Sequence, residues 1–324
     1  MTPLRVAVWG VGRHATRKIL PAIQHTGALQ LHGICSRNGD VVAAEAAQWN
    51  CQAWTDASAM LADPLVDAVY VATPIGLHAE HGRRVIDAGK HLWCEKPLAT
   101  SLAATRELLD RAARRGRSVC EGMMYLHHPH FRQLSEYVTR GTLGQVISIG
   151  SRFGIPPLEY SSFRTDPALA GGALFDVGCY PVSAVHALFP DQGMRVVMAR
   201  VGVRGQAAVD TDGSAVLELS NGVLAHLEWC INCAYRNEIT VWGTAASVTT
   251  DQIFSKPPTY VPEFRVRDLR GAERTEAGEA ADHFVAMLEH FAAIANGRAD
   301  ADAERARLER TAAVLDEICA RRSR

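Results

Sequence analysis

Residues 4–20 read LRVAVWGVGRHATRKIL. Positions 5–9 form an apolar run with the length and β-branched character of a strand covered on both faces, as in a parallel sheet. The run ends in GVGRHA, residues 10–15, a GxGxxA pattern that opens a helix. In such a turn Gly10 permits the tight reversal, Gly12 lets the backbone approach a pyrophosphate, and Ala15 allows close packing of the helix. Val11, Arg13 and His14 share the loop, and the helix start offers N–H donors and the positive end of a dipole. Glycine-rich turns are common, so the reading rests on what surrounds this one.

The surroundings alternate. Strand patterns at 29–35, 52–54, 68–72, 91–94 and 118–120 are interleaved with helical patterns at 14–24, 40–49, 78–88 and 102–115, which predicts a doubly wound parallel sheet. Pro21 predicts a kink or break near Leu20. After Met123 the rhythm changes: a helix at 127–140 precedes strands at 145–153, 195–203, 214–219, 223–230, 238–243 and 247–250. Asn221-Gly222 between two apolar runs signals a hairpin. The Ala-rich, charged stretch 301–322 reads as a closing helix. The predicted class is α/β: a nucleotide-binding domain at 1–122 and an α/β domain with a mainly antiparallel open sheet at 123–324. The last helix, about 301–322, is expected to pack back on the first domain.

Bulk properties narrow the function. The 324 residues fit two domains of roughly 150 each. A net charge of −1, from 34 basic and 35 acidic residues spread along the chain, gives no footprint for nucleic acid or anionic lipid, so small-molecule partners are expected. The N-terminal apolar run is far too short to span a membrane and no export signal is seen, which predicts a cytoplasmic protein. Eight cysteines lie mostly within apolar runs, as reduced thiols acting as small core residues. Cys230 and Cys233 form one CxxC, but no second pair completes a zinc site and no strand-to-helix context makes a redox site.

The choice of nucleotide follows from the second strand. An NAD site calls for an acidic residue roughly 20 positions after the glycines, to hold the ribose 2′-hydroxyl. Residues 35–38 read CSRN instead. Ser36 and Arg37 replace a carboxylate, which would repel a 2′-phosphate, with a hydroxyl and a guanidinium that bind one. NADP (NADPH) is therefore favoured over NAD, a plain surface arginine being the alternative.

Two stretches carry candidate reacting groups. In HLWCEKPLAT, residues 91–100, Glu95 and Lys96 emerge at the carboxyl end of a buried strand, where open α/β sheets bind ligands. A solvated Glu-Lys pair would read the same way. In GGALFDVGCYP, residues 171–181, Asp176 and Tyr180 share a face if the stretch is helical from Leu174 onward. Gly178 removes bulk between them, leaving room for a flat ring or sugar, but Gly178 and Pro181 also weaken the helix. A glycine-rich turn capped by Asp176 is the other reading. A nicotinamide cofactor moves the hydride, and the protein must move a proton at the substrate oxygen. A phenol of ordinary pKa ~10 does so when a cation stabilises its phenolate, which Tyr180 beside Lys96 would supply.

Together GVGRHA, VATPIGLHAEHGRRVIDAGKHLWCEKPLAT (71–100) and FRTDPALAGGALFDVGCYP (163–181) resemble the glucose-fructose oxidoreductase and inositol dehydrogenase (Gfo/Idh/MocA) family over nearly the whole chain. The resemblance implies a Rossmann domain followed by an α/β domain whose open sheet often forms a dimer interface, hence a homodimer or homotetramer. Lys96 is similar to the family's catalytic lysine, Asp176 to its helix aspartate and Tyr180 to its acid/base residue, where many members have histidine. Thr73, Pro74 and His78 match the loop along the nicotinamide half of the cofactor, and Arg164 matches an arginine before the glycine run. Phe163 stands where tryptophan is usual. MMYLHHPHF (123–131) and FGIPPL (153–158) look most like sugar C-3 ketoreductases of deoxysugar pathways. His127, His128 and His130 raise the question of a metal, but no carboxylate or cysteine set joins them and none is expected.

The resulting expectation is an NADP(H)-dependent oxidoreductase acting on a cyclic sugar, best read as reduction of a nucleotide-linked 3-keto deoxysugar. Its cofactor-binding set is Gly10, Val11, Gly12, Arg13, His14, Ser36, Arg37, Thr73, Pro74, His78, Glu95, Lys96 and Arg164; its catalytic set is Lys96, Tyr180 and Asp176. Oxidation of a free sugar, polyol or trans-dihydrodiol is the alternative. A non-catalytic NADP-sensing regulator is a more distant one.

Overall fold

A computed structural model describes residues 2–157 and 163–321; Leu158 of the FGIPPL stretch and Arg322 of the closing helix lie outside the described residues. The chain forms two compact units, Met1–Met123 with Phe284–Glu309, and Met124–His283 with Arg310–Arg324. The expected division at 122/123 thus needs one correction, because residues 284–309 belong with the first unit. The closing helix, expected to pack there, accounts for 301–309; the unexpected part is helix α8 (His283–Ala295), whose Ala-rich sequence, apolar on several sides, hides the one-sided stripe that marks a surface helix. Met287, Leu288, Phe291 and Ala292 are all fully buried, and the Phe291 ring lies 5.7 Å from that of Trp93.

In the first unit six parallel strands run in the order β3-β2-β1-β4-β5-β6. They are β1 (Leu4–Trp9), β2 (Leu29–Cys35), β3 (Gln52–Trp54), β4 (Ala68–Val71), β5 (His91–Cys94) and β6 (Val119–Glu121). The order reverses between β1 and β4, so both carboxyl ends open onto the crevice where such sheets take ligands. Val6, Ala7, Val8 and the whole of β4 are buried, which is why they read as continuous apolar runs rather than alternating ones. The crossover helices are α1 (Leu20–His25), α2 (Gly39–Trp49), α3 (Ala57–Ala62), α4 (His78–Asp87) and α5 (Leu102–Arg114). Asn38, Asp56 and Ser101 cap α2, α3 and α5 by accepting backbone N–H bonds at 3.2, 2.9 and 3.1 Å. The break expected at Leu20 is a change of register: Ala15–Ile19 is a π-helical turn and α1 begins at Leu20, with Pro21 near its start. The short α3 escaped the sequence reading.

The second unit is built on α6 (Pro129–Thr139), α7 (Cys179–Leu188) and an eight-stranded sheet. Its strands are β7 (Val146–Ile155), β8 (Met194–Gly202), β9 (Asp212–Leu219), β10 (Leu224–Ile231), β11 (Arg236–Gly243), β12 (Ala246–Asp251), β13 (Glu263–Asp268) and β14 (Glu273–Ala277). All neighbours are antiparallel except β7 and β10. The predicted hairpin joins β9 to β10, with Gly222 at φ +85° and Leu219 N–H donating to Val223 O at 2.9 Å. β13 and β14 were not anticipated. Only Phe264 and Val266 of β13 are buried, and its outward Arg265 and Arg267 pair with Asp251 and Glu273 at 2.8 Å, so charge hides the alternation. The closing helix α9 (Ala301–Ala320) contributes its first half to the first unit and its second half to this one. Residues 167–188 are long and apolar enough to cross a membrane, yet 83% of that window is buried in the protein, as in a core helix.

Candidate active site

Within the first unit the candidate residues gather at the carboxyl edge of the sheet. Gly10, at φ +110°, follows β1, and a Cβ there would stand 2.7 Å from Ala72 O, so only glycine fits. Gly12 differs: a Cβ there would meet nothing within 4 Å, so the protein itself does not require its bareness. A cradle left open by an absent side chain, at the mouth of the helix that begins with Ala15, is what a pyrophosphate needs. The residues present therefore fit a dinucleotide. At the end of β2, Ser36 is half-buried, while Arg37 is exposed and, among the described residues, enters no salt bridge. No carboxylate stands at either position.

Glu95 is not a solvated partner of Lys96. Its carboxylate accepts from the Tyr70 hydroxyl at 2.6 Å and lies 2.9 Å from His14 Nε2. Burial alone would raise its pKa, but the charge and hydrogen bond of His14, the Tyr70 hydroxyl and the charge of Lys96 hold it at about 2. Gly122 makes the arrangement possible, since a Cβ there would press to 2.9 Å from the Tyr70 hydroxyl. The Lys96-Pro97 bond is cis. The next residue, Leu98, donates its N–H to Glu121 Oε1 at 2.7 Å. Arg307 in turn donates to Glu121 at 3.1 Å and to Glu304 at 2.8 and 2.9 Å.

One assignment is corrected here. His78 is fully buried, with Nδ1 2.8 Å from Pro97 O and Nε2 2.8 Å from Thr73 O. Both ring nitrogens face backbone carbonyls, so the side chain has no polar atom left for a cofactor. Burial lowers its pKa, with the two carbonyls acting the other way. The side chain that meets Thr73 Oγ1 is His81, at 3.0 Å. The His81 ring stacks on Trp9 at 3.9 Å, the Arg84 guanidinium lies 5.0 Å over the Trp9 ring, and burial pushes the His81 pKa down to about 4.

In the second unit, Asp176 is 2% exposed and its carboxylate accepts from Arg164 Nε. The structure thus joins two residues to which sequence reading gave separate roles. Gly171 and Gly172 let this happen. A Cβ on Gly171 would strike Arg164 O at 2.5 Å, and one on Gly172, at φ +122°, would strike Asp210 Oδ1 at 2.3 Å. Asp210, unnoticed in the sequence, accepts from Leu174 N–H at 2.7 Å. The stretch is helical from Leu174 as expected, but Leu174–Gly178 is a π-helical turn, a device frequent at functional sites.

Tyr180 is 6% exposed and sits among aromatic rings, 5.0 Å from Phe153 and 5.5 Å from Phe254, with its hydroxyl 3.7 Å from Met124 Sδ. Gly178 does not leave room for a ligand: a Cβ there would stand 3.0 Å from the Trp229 indole, which fills the space. Two of the MMYLHHPHF histidines, His128 and His130, serve the structure. His128 Nδ1 accepts from His130 N–H at 2.9 Å to start α6, and His130 Nε2 lies 2.6 Å from Thr250 Oγ1. Burial pushes their pKa values to about 4 and about 2. Among the described residues no group of three or more His, Cys, Asp or Glu is gathered to hold a metal. Cys230 and Cys233 are half-buried free thiols rather than core residues, and burial pushes Cys230 up to about 12, away from thiolate chemistry.

Comparison with known proteins adds to this geometry. Residues 4–123 match a family profile described as an oxidoreductase family with an NAD-binding Rossmann fold, and residues 131–249 match the GFO/IDH/MocA C-terminal domain. The chain is 34% identical to the dTDP-3,4-didehydro-2,6-dideoxy-alpha-D-glucose 3-reductase of Streptomyces violaceoruber, over 83% of this chain and 79% of that one. It is 32% identical to a D-xylose 1-dehydrogenase (NADP(+)) of Haloferax volcanii, over 88% and 87%. The crystal structure of a 3-ketoreductase from Actinomadura kijaniata, in complex with NADP and TDP-benzene, superposes with a TM-score of 0.93 at 30% identity, covering 99% of this chain and 98% of that one. Variants of that reductase with a tyrosine changed to phenylalanine and a lysine changed to alanine have been crystallised with the same ligands. The two altered residues are 84 positions apart, as are Lys96 and Tyr180 here. This chain belongs to the Gfo/Idh/MocA oxidoreductase family.

Proposed function

We propose that this protein is an NADP(H)-dependent reductase that transfers a hydride to the C-3 carbonyl of a nucleotide-linked 3-keto deoxysugar. The reading is carried by the likeness, along almost the entire chain, to a 3-ketoreductase solved with NADP and a TDP compound. In this reading the Gly10–Gly12 loop takes the pyrophosphate, with Val11, Arg13 and His14 around it, and Ser36 and Arg37 take the 2′-phosphate. Thr73 and Pro74 border the nicotinamide. The bound NADPH supplies the hydride. Tyr180 gives its proton to the substrate oxygen, and the Lys96 ammonium stabilises the phenolate left behind. Asp176, which accepts from Arg164, orients the lysine or the substrate.

A second reading, oxidation of a free sugar, is favoured by the likeness to the xylose dehydrogenase. Eight free cysteines suit a reducing cytoplasm, and the exposed Trp242, Tyr235 and Met198 of the second unit suit a homo-oligomer. The test is NADPH oxidation against a panel of dTDP-linked 3-keto sugars, beside NADP reduction by free sugars. Turnover of a keto sugar is expected, with Tyr180→Phe lowering kcat about 100-fold or more. NADPH binding with no turnover on any substrate would turn the assignment toward a sensor.

A further inference from the structure

Three backbone positions around Lys96 are held by other parts of the first unit. Glu95 N–H donates to Val71 O at 2.9 Å, the last rung between β4 and β5. Beyond that rung the His78 imidazole lies between the loops that follow these strands, 2.8 Å from Thr73 O on one and 2.8 Å from Pro97 O on the other. Glu121 then holds Leu98 N–H at 2.7 Å. Lys96 lies between these anchors. Since a carbonyl oxygen only accepts, a neutral ring donates to one of the two and a protonated ring to both. The ring is fully buried, so it has no exit to solvent and no role as a surface contact.

We infer that His78 is a positioning residue for the Lys96 ammonium: it fixes the turn that carries the lysine at a set distance from the loop that borders the nicotinamide. The inference rests on the proposed role of Lys96. A lysine stem has four rotatable bonds, so its charge is useful only when the backbone beneath it is fixed, and misplacement of a reacting group by about 1 Å costs up to 100-fold in rate.

The experiment uses the full chain with NADPH and a dTDP-linked 3-keto sugar, and compares His78→Asn, His78→Phe, Lys96→Ala and the combined variants. His78→Phe is expected to lower kcat about 10- to 100-fold while the KM for NADPH moves less than threefold. His78→Asn, which keeps a donor nitrogen, should fall between wild type and Phe, and it serves if the Phe variant does not fold. In the Lys96→Ala background, replacing His78 should lower kcat no further, because residues acting through one another are not additive. The same fold loss in both backgrounds would overturn the inference and leave the role of Lys96 standing. If Lys96→Ala keeps the full rate, that role fails and the inference fails with it. A readout independent of turnover is the acetylation rate of Lys96 relative to the exposed Lys18 in the NADP-bound protein. A change of threefold or more in His78→Phe is expected, and equal rates overturn the proposal.

Discussion

Arg307→Met tests how much of the site's stability hangs on one buried cation. The Arg307 side chain is 13% exposed and sits between Glu121 at 4% and Glu304 at 8%. Its three hydrogen bonds, at 2.8, 2.9 and 3.1 Å, compensate two carboxylates, and that of Glu304 also receives the Glu121 N–H at 3.2 Å. Breaking a buried ion pair by removing one partner costs about 3–5 kcal/mol, because the buried Glu121 carboxylate then loses its arginine. In a unit of about 150 residues, where 1 kcal/mol shifts Tm by roughly 2–4 °C, the first unit should melt about 6–20 °C earlier.

The sign of the pH dependence follows from Glu121. Burial raises its pKa above the usual value even against the opposing charge of Arg307, and losing the arginine raises it further. A carboxyl with a raised native pKa favours the fold at low pH and loses that contribution as pH climbs through the native value. The penalty of Arg307→Met should therefore be smallest at low pH and grow as pH rises. Urea melts of wild type and variant at a series of pH values measure it. Glu121→Gln with Glu304→Gln in the Arg307→Met background removes the stranded charge and should restore most of the loss, since the side-chain amide at position 121 still offers an oxygen to Leu98 N–H. A penalty below about 1 kcal/mol at pH 8, or one that does not vary with pH, would refute the reasoning.

Further outcomes are open to direct measurement. Arg37→Asp should raise the KM for NADPH roughly 10- to 100-fold and leave that for NADH little changed, as expected for losing a charged hydrogen bond worth about 1.5–3 kcal/mol. The Cβ added by Gly12→Ala meets no protein atom within 4 Å, so its melting temperature should stay within about 2 °C of wild type while NADPH affinity, read by fluorescence titration, falls about 10-fold or more. The Glu95 pKa is depressed to about 2, so its contribution to stability is complete above the unfolded value near 4.5 and fades as pH drops toward 2. Denaturation curves of wild type and Glu95→Gln should therefore differ at pH 7 and converge near pH 2.

What could be read from sequence is what local sterics encode. Gly10 lies at φ +110° against Ala72 O, a demand met within a turn, and the buried runs of β1, β4 and β5 declare themselves because both faces are covered. The hidden features span long separations. Glu121 and Arg307 are 186 residues apart, and nothing in either neighbourhood announces the other. His78 matched a cofactor loop by its place in a motif, yet motif position cannot tell a side chain facing the crevice from one turned beneath it. Gly178 makes the same point from the opposite side. An absent Cβ shows that something needs the space but not what, and here the indole of Trp229, from β10, occupies it. Gly12 is the contrasting case, a glycine whose missing side chain no protein atom explains. Comparing what surrounds each bare Cα therefore separates glycines that serve packing from those that leave space for a ligand, a distinction that only coordinates supply.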